Sequence, residues 1–214
     1  MPSKLYEKKS RIDIRDGNNN LFEIKKGGRR GMILIISVLW FFLPAGLGNL
    51  APIIAAKIPI LRKYSHPIDR FQKFRGKRIL GDHKTVRGLI AGICAGIITA
   101  YLQVFLYNQF SFVRNFSLVD YGTINPLFWG FLSSFGALFG DGLKSFFKRQ
   151  LNIPSGKSWF PFDQIDYILG GILFTAFYVQ LSIKLYIILF IVWFFLHPLS
   201  TFIGWLLRLK DEPI

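Results

Sequence analysis

Long apolar runs separated by polar connections dominate the chain from residue 31 onward. Five runs reach the roughly 20 residues that a helix needs to cross a bilayer. They extend from Ile33 to about Ile58, Val86 to Tyr107, Pro126 to about Leu143, Phe162 to about Ile183, and Tyr186 to Leu207. The last two meet at Ser182-Ile183-Lys184, which predicts an antiparallel hairpin. The pattern therefore predicts an all-α, polytopic integral membrane protein with about five transmembrane helices, divided into a polar tail (1–30) and one membrane domain (31–214).

Composition agrees with a chain that lies mostly in lipid. Hydrophobic residues make up 51% of it and 23 residues are Phe, more than a soluble domain of 214 residues can bury. Its 27 Lys and Arg against 12 Asp and Glu indicate polyanionic partners. Because nucleic acid is a poor partner for a chain inside lipid, we expect membrane lipids and nucleotide phosphates instead. The first thirty residues are polar, so no cleavable signal peptide is predicted.

The Lys and Arg residues favour one side of the membrane. Ten lie between 57 and 87 and four between 144 and 161, whereas 108–125 holds only Arg114. This bias predicts a cell-membrane protein with cytoplasmic basic loops, a cytoplasmic active site and an external N-terminus. The nine cations of residues 1–30 oppose that orientation. Either the tail crosses regardless, or the first segment is re-entrant, divided by Pro44 and Pro52; five crossings remain the prediction.

Polar side chains cluster where the third run ends and the fourth begins. On a helix, those at the end of the third run form one stripe, made of Asp141, Lys144, Ser145 and Lys148. Asp163 and Asp166 share a face at the start of the fourth run. Charges at helix ends also complement the helix dipole, but Asp141 lies within an apolar run, where a charge is costly. Three carboxylates from successive segments are hard oxygen ligands, and they predict a Mg²⁺ site.

A second candidate region precedes the second run, with the sequence Gly81-Asp82-His83-Lys84-Thr85-Val86-Arg87. Glycine lets the backbone approach a ligand, and Lys84 and Arg87 can bind phosphate oxygens. Basic residues at a membrane edge are also ordinary anchors. His83 is interpreted as an exposed loop histidine.

In the first run, Asn49 lies between Pro44 and Pro52. It either lines a polar cavity beside a broken helix or marks a kink with a satisfied amide. Glycines four residues apart predict close helix packing that would bring Lys84 near Asp141, and they are Gly88, Gly92 and Gly96 in the second run with Gly136 and Gly140 in the third.

The pattern Gly140-Asp141-x-x-x-Ser145-x-x-Lys148-Arg149 followed by Asp163-x-x-Asp166 resembles the CDP-diacylglycerol synthase superfamily. The Gly81-x-x-Lys84-Thr85 run is similar to that family's lysine-threonine motif. The larger family has Lys-Asp where this chain has Pro154-Ser155, and Arg where it has Gln164. In these positions the chain resembles the short archaeal branch, CDP-archaeol synthase. The resemblance covers roughly residues 33–208.

The resemblance implies transfer of a cytidylyl group from CTP to a lipid phosphate, with release of pyrophosphate and a need for Mg²⁺. It implies catalytic roles for Asp141, Asp163, Asp166, Lys84 and Ser145, with the three aspartates as metal ligands. The implied substrate-binding residues are Lys84, Thr85, Arg87, Asn49, Lys144, Lys148 and Arg149. The preferred acceptor is 2,3-di-O-geranylgeranylglyceryl phosphate, giving CDP-archaeol.

Three other interpretations stay open. One is a phosphatidate cytidylyltransferase that acts on ester lipids, since the apolar sequence does not show whether the lipid chains are ether- or ester-linked. A small ion- or proton-coupled transporter would spread its acids through the membrane depth, whereas here they cluster at one face beside cations. A membrane scaffold recruited by basic loops would need neither Asp141 nor the paired aspartates.

Overall fold

The computed structural model describes residues 29–155 and 157–206, and within them the fold is helical. The helices are α1 (Arg29–Lys57), α2 (Val86–Gln109), α3 (Ser111–Phe116), α4 (Pro126–Gln150), α5 (Phe162–Ala176) and α6 (Ile183–Leu206). A 3₁₀-helix (Pro59–Tyr64) and a short antiparallel hairpin, β1 (Lys73–Phe74) with β2 (Lys77–Arg78), lie between α1 and α2. The polar tail up to residue 28 lies outside the described residues.

Five of these helices correspond to the five predicted runs, with shifted ends. Helix α4 continues past the predicted end at Leu143 to Gln150, so the polar stripe lies on one continuous helix. Helix α5 ends at Ala176 rather than near Ile183, and the hairpin turn is longer than predicted. The hydroxyl of Tyr186 stabilises that turn, because it accepts from Leu181 N (3.1 Å) and donates to Val179 O (3.2 Å).

Two described helices are long and apolar enough to cross a membrane, at Gly31–Lys57 and Val86–Gln109. Helix α6 contains a shorter apolar stretch, Ile183–Leu196. Helix α4 is as long as α2, but glycines, serines and charged residues interrupt its apolar sequence. Consecutive long helices run in opposite directions, so residues 57–86 and 144–162 meet at one end of the bundle. We call this the basic end.

Helix α4 packs closely against α2 on one side and α5 on the other. A Cβ atom at Gly96 would lie 2.4 Å from Ser134 Cβ, and one at Gly140 would lie 2.1 Å from Asp166 O. Only glycine permits such separations between helices. The predicted close packing of these glycines is confirmed, although Gly136 and Gly140 contact α5 rather than α2.

Helix α1 is continuous through Pro44 and Pro52, which disfavours the alternative of a re-entrant first segment divided into two halves. A proline lacks the N–H that would bond the carbonyl four residues earlier, which for Pro44 is Trp40 O. The wholly buried Gln103 of α2 donates its Nε2 to that carbonyl and accepts from Trp129 Nε1 at 3.1 Å. A neighbouring helix thus satisfies the group that the proline exposes.

Candidate active site

Three carboxylates converge on one ammonium group at the basic end. Lys144 Nζ lies 3.1 Å from Asp141 Oδ1, 2.8 Å from Asp163 Oδ1 and 2.7 Å from Asp166 Oδ2. We call these four residues the carboxylate cluster. Asp141 and Lys144 belong to α4, while Asp163 and Asp166 belong to the start of α5. The close contact at Gly140 holds the two helices together at this level. The structure therefore brings the three predicted aspartates together.

A fifth charged residue reaches the carboxylate cluster from the connection that precedes α2. Lys84 Nζ forms an ion pair and a hydrogen bond with Asp141 Oδ2. The expectation that helix packing brings these two residues together is confirmed. Thr85 is the N-cap of α2, and its Oγ1 accepts from Gly88 N at 3.2 Å. Its hydroxyl therefore starts α2 directly after Lys84.

Lys148 is buried beside the carboxylate cluster, with its charge already paired. Its Nζ donates to Lys157 O and lies 3.3 and 3.4 Å from the two carboxylate oxygens of Asp163. It connects α4 to the loop before α5. Ser145 Oγ donates to the Asp141 carbonyl at 2.8 Å, within its own helix. The hydroxyl of Ser145 thus contacts the backbone of Asp141 rather than its carboxylate.

The two arginines of the predicted site lie at the same end. Arg87 donates from Nη1 to Leu61 O at 3.2 Å. Arg149 lies beside Gly81, where a Cβ would be 3.7 Å from both Arg149 Cδ and Nη1. Gly81 has φ +98°, a conformation that favours glycine. The connection before α2 therefore folds against the end of α4.

Asn49 is half-buried on α1, next to Gly48, which packs against Ser134 and Gly92. Among the described residues, its side chain forms no hydrogen bond. It is the one predicted site residue for which the described structure shows no side-chain contact linking it to the basic end.

A further buried acid that no sequence pattern indicated is Asp69, whose side chain is 1% exposed in the connection between α1 and α2. Burial disfavours its charged form, but hydrogen bonds from Arg78 and from Leu80 N, Gly81 N and Phe71 N outweigh burial and lower the pKa of Asp69 to about 2. The available sequence signal was weak: Asp69 and Asp82 are the two acids among the ten cations of residues 57–87.

Several polar atoms at the basic end are buried without a hydrogen-bond partner, among them Arg87 Nε, Arg149 Nε, Gln164 Oε1 and Asp166 Oδ2. Asp166 Oδ2 has the Lys144 charge beside it, without hydrogen-bond geometry. Such atoms are costly unless water or a ligand satisfies them. The basic end therefore contains buried polar atoms whose hydrogen-bonding capacity water or a ligand would have to satisfy.

The donor set fits a divalent cation, since all three acids offer carboxylate oxygens and the position already holds positive charge. The N–O distances around Lys144 are longer than the ~2.1 Å of Mg–O bonds. In residues 29–155 and 157–206, no group of three or more His, Cys, Asp or Glu is spaced to ligate one metal ion as it stands. A metal would need Lys144 displaced and the carboxylates drawn closer.

Comparison with known proteins gives one consistent result. A model of the CarS-like CDP-archaeol synthase family matches residues 32–214. A CDP-archaeol synthase of Pyrobaculum islandicum is 33% identical over 182 residues, covering 83% of this chain and 99% of the relative. One of Methanocaldococcus jannaschii is 32% identical over 182 residues, covering 83% and 96%.

A solved structure is similar throughout most of the fold. It is an intramembrane enzyme for archaeal membrane lipids biosynthesis, with a TM-score of 0.62 and 26% identity, covering 78% of this chain and 93% of that one. The family match and the apolar helices together make this chain a membrane protein. It therefore belongs to the CDP-archaeol synthase family of CTP-dependent cytidylyltransferases, as its motifs at 81–88 and 136–166 predict.

Proposed function

We propose that this chain transfers the cytidylyl group of CTP to 2,3-di-O-geranylgeranylglyceryl phosphate at the basic end, producing CDP-archaeol and pyrophosphate. The observation that carries the proposal is the meeting of Asp141, Asp163 and Asp166 with Lys84 and Lys144 at one end of the bundle. The relatives' names support the acceptor and the product. A relay transporter is disfavoured, because these buried acids cluster at one end.

In this proposal Asp141, Asp163 and Asp166 hold Mg²⁺, which when bound neutralises phosphate charge. Formal charges explain why a metal would favour substrate binding. The three carboxylates are balanced by three ammonium groups, those of Lys84, Lys144 and Lys148. An added divalent cation leaves the site positive, which suits a triphosphate and a lipid phosphate.

The chain's own side chains divide into two groups. Lys84, Lys144, Arg87 and Arg149 bind phosphate oxygens, and the unpartnered Nε atoms of both arginines support this assignment. Lys148 and Ser145 instead support the site, because Lys148 fixes the Asp163 carboxylate and Ser145 bonds the Asp141 backbone. Thr85 caps α2 directly after Lys84, whereas Asn49, which has no described contact with the basic end, lies outside this set.

The reaction requires that two polyanions meet in line. An oxygen of the lipid phosphate attacks the α-phosphorus of CTP, a P–O bond forms, and pyrophosphate leaves as the bond to the β-phosphate oxygen breaks. Fixed cations lower the repulsion between the two substrates, and the rigid α4–α5 contact keeps the charged groups in place. Positioning and charge neutralisation supply most of the rate enhancement in phosphoryl-type transfers.

The topology that suits this reaction has five crossings, by α1, α2, α4, α5 and α6, with the basic end in the cytoplasm. CTP then enters from the cytosol, while the acceptor enters from the lipid. Residues 31–214 form the catalytic membrane domain, and residues 1–30 form a basic tail.

Single cysteines in a Cys94→Ala background test this arrangement. We expect labelling at 66–80 and 150–158 from the cytoplasmic side, and at 115–120 from the outside.

Radiolabel transfer tests the reaction itself. Purified protein receives α-labelled CTP, Mg²⁺ and either the ether-linked geranylgeranyl phosphate or an ester-linked phosphatidate. We expect label in the organic phase with the ether acceptor, pyrophosphate release, and loss of both with a chelator. Transfer to the ester lipid alone would overturn the acceptor, and no transfer to either lipid by folded protein would overturn the enzyme proposal.

A further inference from the structure

The connection between α1 and α2 is a folded unit rather than a loose loop. We call residues 59–85 the cap. It returns on itself, because Ile68 N donates to Lys84 O at 2.8 Å and Val86 N donates to His66 O at 3.0 Å. Lys84 N also donates to Gly81 O at 3.3 Å. Both main-chain polar groups of Lys84 are thus bonded within the cap.

Asp69 lies at the centre of this unit. Its Oδ1 accepts from Arg78 Nη2 (2.9 Å) and Phe71 N (3.1 Å). Its Oδ2 accepts from Arg78 Nε (3.2 Å), Leu80 N (2.9 Å) and Gly81 N (3.2 Å). One buried carboxylate therefore receives five donors, three of them from the backbone. Charge-assisted bonds of this kind are among the stronger hydrogen bonds in proteins.

The same carboxylate stabilises an unusual backbone. Arg70 and Phe71 have φ values of 45° and 62°, which non-glycine residues seldom adopt. The bond from Phe71 N to Asp69 Oδ1 closes this turn, and the Arg78 guanidinium lies over the Phe71 ring at 4.8 Å. The turn directs the chain back toward Gly81 and Lys84.

The cap is also docked on α4. Lys77 Nζ donates to Gln150 O, and Gln150 Nε2 donates to Arg78 O at 3.4 Å. The rings of Phe74 and Phe146 are 5.8 Å apart. These contacts fix the cap relative to the helix that carries Asp141, and they place the Lys84 ammonium on the Asp141 carboxylate.

We propose that Asp69 is a positioning residue for cytidylyl transfer, since it holds the turn at Leu80 and Gly81 that presents Lys84 to Asp141. Asp69 lies within the cap and acts through Lys84. The inference rests on the proposed function, because it needs Lys84 to act on the substrates. It adds a residue outside the recognised motifs to the machinery of the reaction.

Two aspartates that bind the same arginine provide a matched test. Arg78 contacts the buried Asp69 from one side and the 69% exposed Asp82 from the other, at 2.8 Å. In the Asp69→Asn variant the side-chain NH2 group replaces an acceptor oxygen and faces N–H donors. Because the turn that presents Lys84 is then weakened, kcat should fall by roughly ten- to a hundredfold. In Asp82→Asn, kcat should stay within about twofold of wild type. Asp69→Glu keeps the charge and should restore part of the activity.

A double-mutant cycle separates positioning from general loss of structure. If Asp69 acts through Lys84, Asp69→Asn should change the residual activity of Lys84→Ala by less than about twofold. If the double variant loses activity by the product of the two single losses, the proposal is overturned. A wild-type kcat in Asp69→Asn would overturn it as well. Inactive wild-type protein would instead reject the proposed function.

Hydrogen exchange gives a readout that does not depend on activity. In Asp69→Asn, the amides of residues 68–86 should exchange faster, while those of α4 and α5 stay as protected as in wild type. Faster exchange throughout α4 and α5 would mean that the variant has lost its fold, and the positioning role would then be rejected. Unchanged exchange at 68–86 would reject it as well.

Discussion

Two polar clusters in this bundle differ in whether their buried polar groups have hydrogen-bond partners. At Gln103 the side-chain amide is wholly buried and has a partner at each end, Trp40 O and Trp129 Nε1. The carboxylate cluster of Asp141, Lys144, Asp163 and Asp166 carries full charges and lies among unpartnered atoms. A neutral cluster whose polar groups are all hydrogen-bonded stabilises a fold. A charged cluster with unused hydrogen-bonding capacity is suited to bind a ligand.

The comparison also separates two uses of close helix packing. At Gln103 the packing satisfies a carbonyl that Pro44 leaves free, so α1 can continue as one helix. At Gly140 the packing forces the start of α5 against α4, which brings like charges together around Lys144. The ammonium groups of Lys84, Lys144 and Lys148 offset the repulsion between these carboxylates.

Neutralising the carboxylate cluster should have the largest effect on activity. Asp141→Asn, Asp163→Asn and Asp166→Asn should each lower turnover on the order of a thousandfold, because metal-held charge is lost in the transition state. Label transfer from CTP measures this, with size-exclusion profiles to show folded protein. Near-normal transfer by Asp163→Asn at saturating Mg²⁺ would mean that this residue is not a ligand.

Removing the cation that comes from the cap should have the next largest effect. Lys84→Ala should lower kcat/KM about a hundredfold, since phosphate charge is then uncompensated in a low-dielectric cleft. Lys84→Arg should restore only part of it, because a planar guanidinium does not replace a compact ammonium. Full activity in Lys84→Ala would place Lys84 outside the reaction.

The Gln103 cluster should respond in stability rather than in chemistry. Gln103→Leu leaves the Trp40 carbonyl and the Trp129 indole N–H unpaired, which should lower the free energy of unfolding by about 1–3 kcal/mol. Thermal unfolding in detergent measures this, and kcat per folded molecule should remain near wild type. A large loss of kcat at unchanged stability would contradict the distinction between the clusters.

Lys144 allows a finer test, because its ammonium occupies the position proposed for the metal. In Lys144→Met, the carboxylates lose a competing cation, so Mn²⁺ in the absence of nucleotide should bind about three- to tenfold more tightly. Electron paramagnetic resonance of free Mn²⁺ measures the affinity without any turnover. Weaker Mn²⁺ binding in this variant would mean that Lys144 builds the metal site rather than competing for it.

The sequence predicted the parts of this structure that depend on the cost of polarity in lipid. The apolar runs predicted the long helices. The unfavourable free energy of placing the Asp141 charge within such a run indicated the candidate site. The glycine spacing predicted the close packing that brings Lys84 to Asp141, and this is confirmed. Each of these predictions depends on a pattern of residues within a single helix or its lead-in.

Features that depend on distant contacts could not be predicted. The cap requires Asp69 to meet backbone donors at Leu80 and Gly81, which no periodicity encodes. The role of Gln103 could not be predicted either, because it depends on Pro44, which lies far away in sequence and leaves the Trp40 carbonyl free. The sequence placed Lys144 on the same stripe as Asp141, but it could not show that the Lys144 ammonium lies between carboxylates of two helices.

The pH dependence of stability should distinguish the charged cap from the neutral Gln103 cluster. The folded pKa of Asp69 is about 2, below its ordinary value of 3.8. A lowered pKa stabilises the fold above the unfolded value, and this contribution is lost as pH falls from about 4 toward 2. The difference in free energy of unfolding between wild type and Asp69→Asn should therefore have its full value near pH 6 and should become smaller below pH 4. The difference between wild type and Gln103→Leu should not change, because no group in that cluster titrates in this range. Thermal unfolding of the three proteins between pH 6 and 3 makes the measurement, and an Asp69→Asn difference that stays constant with pH would show that the Asp69 charge does not stabilise the cap.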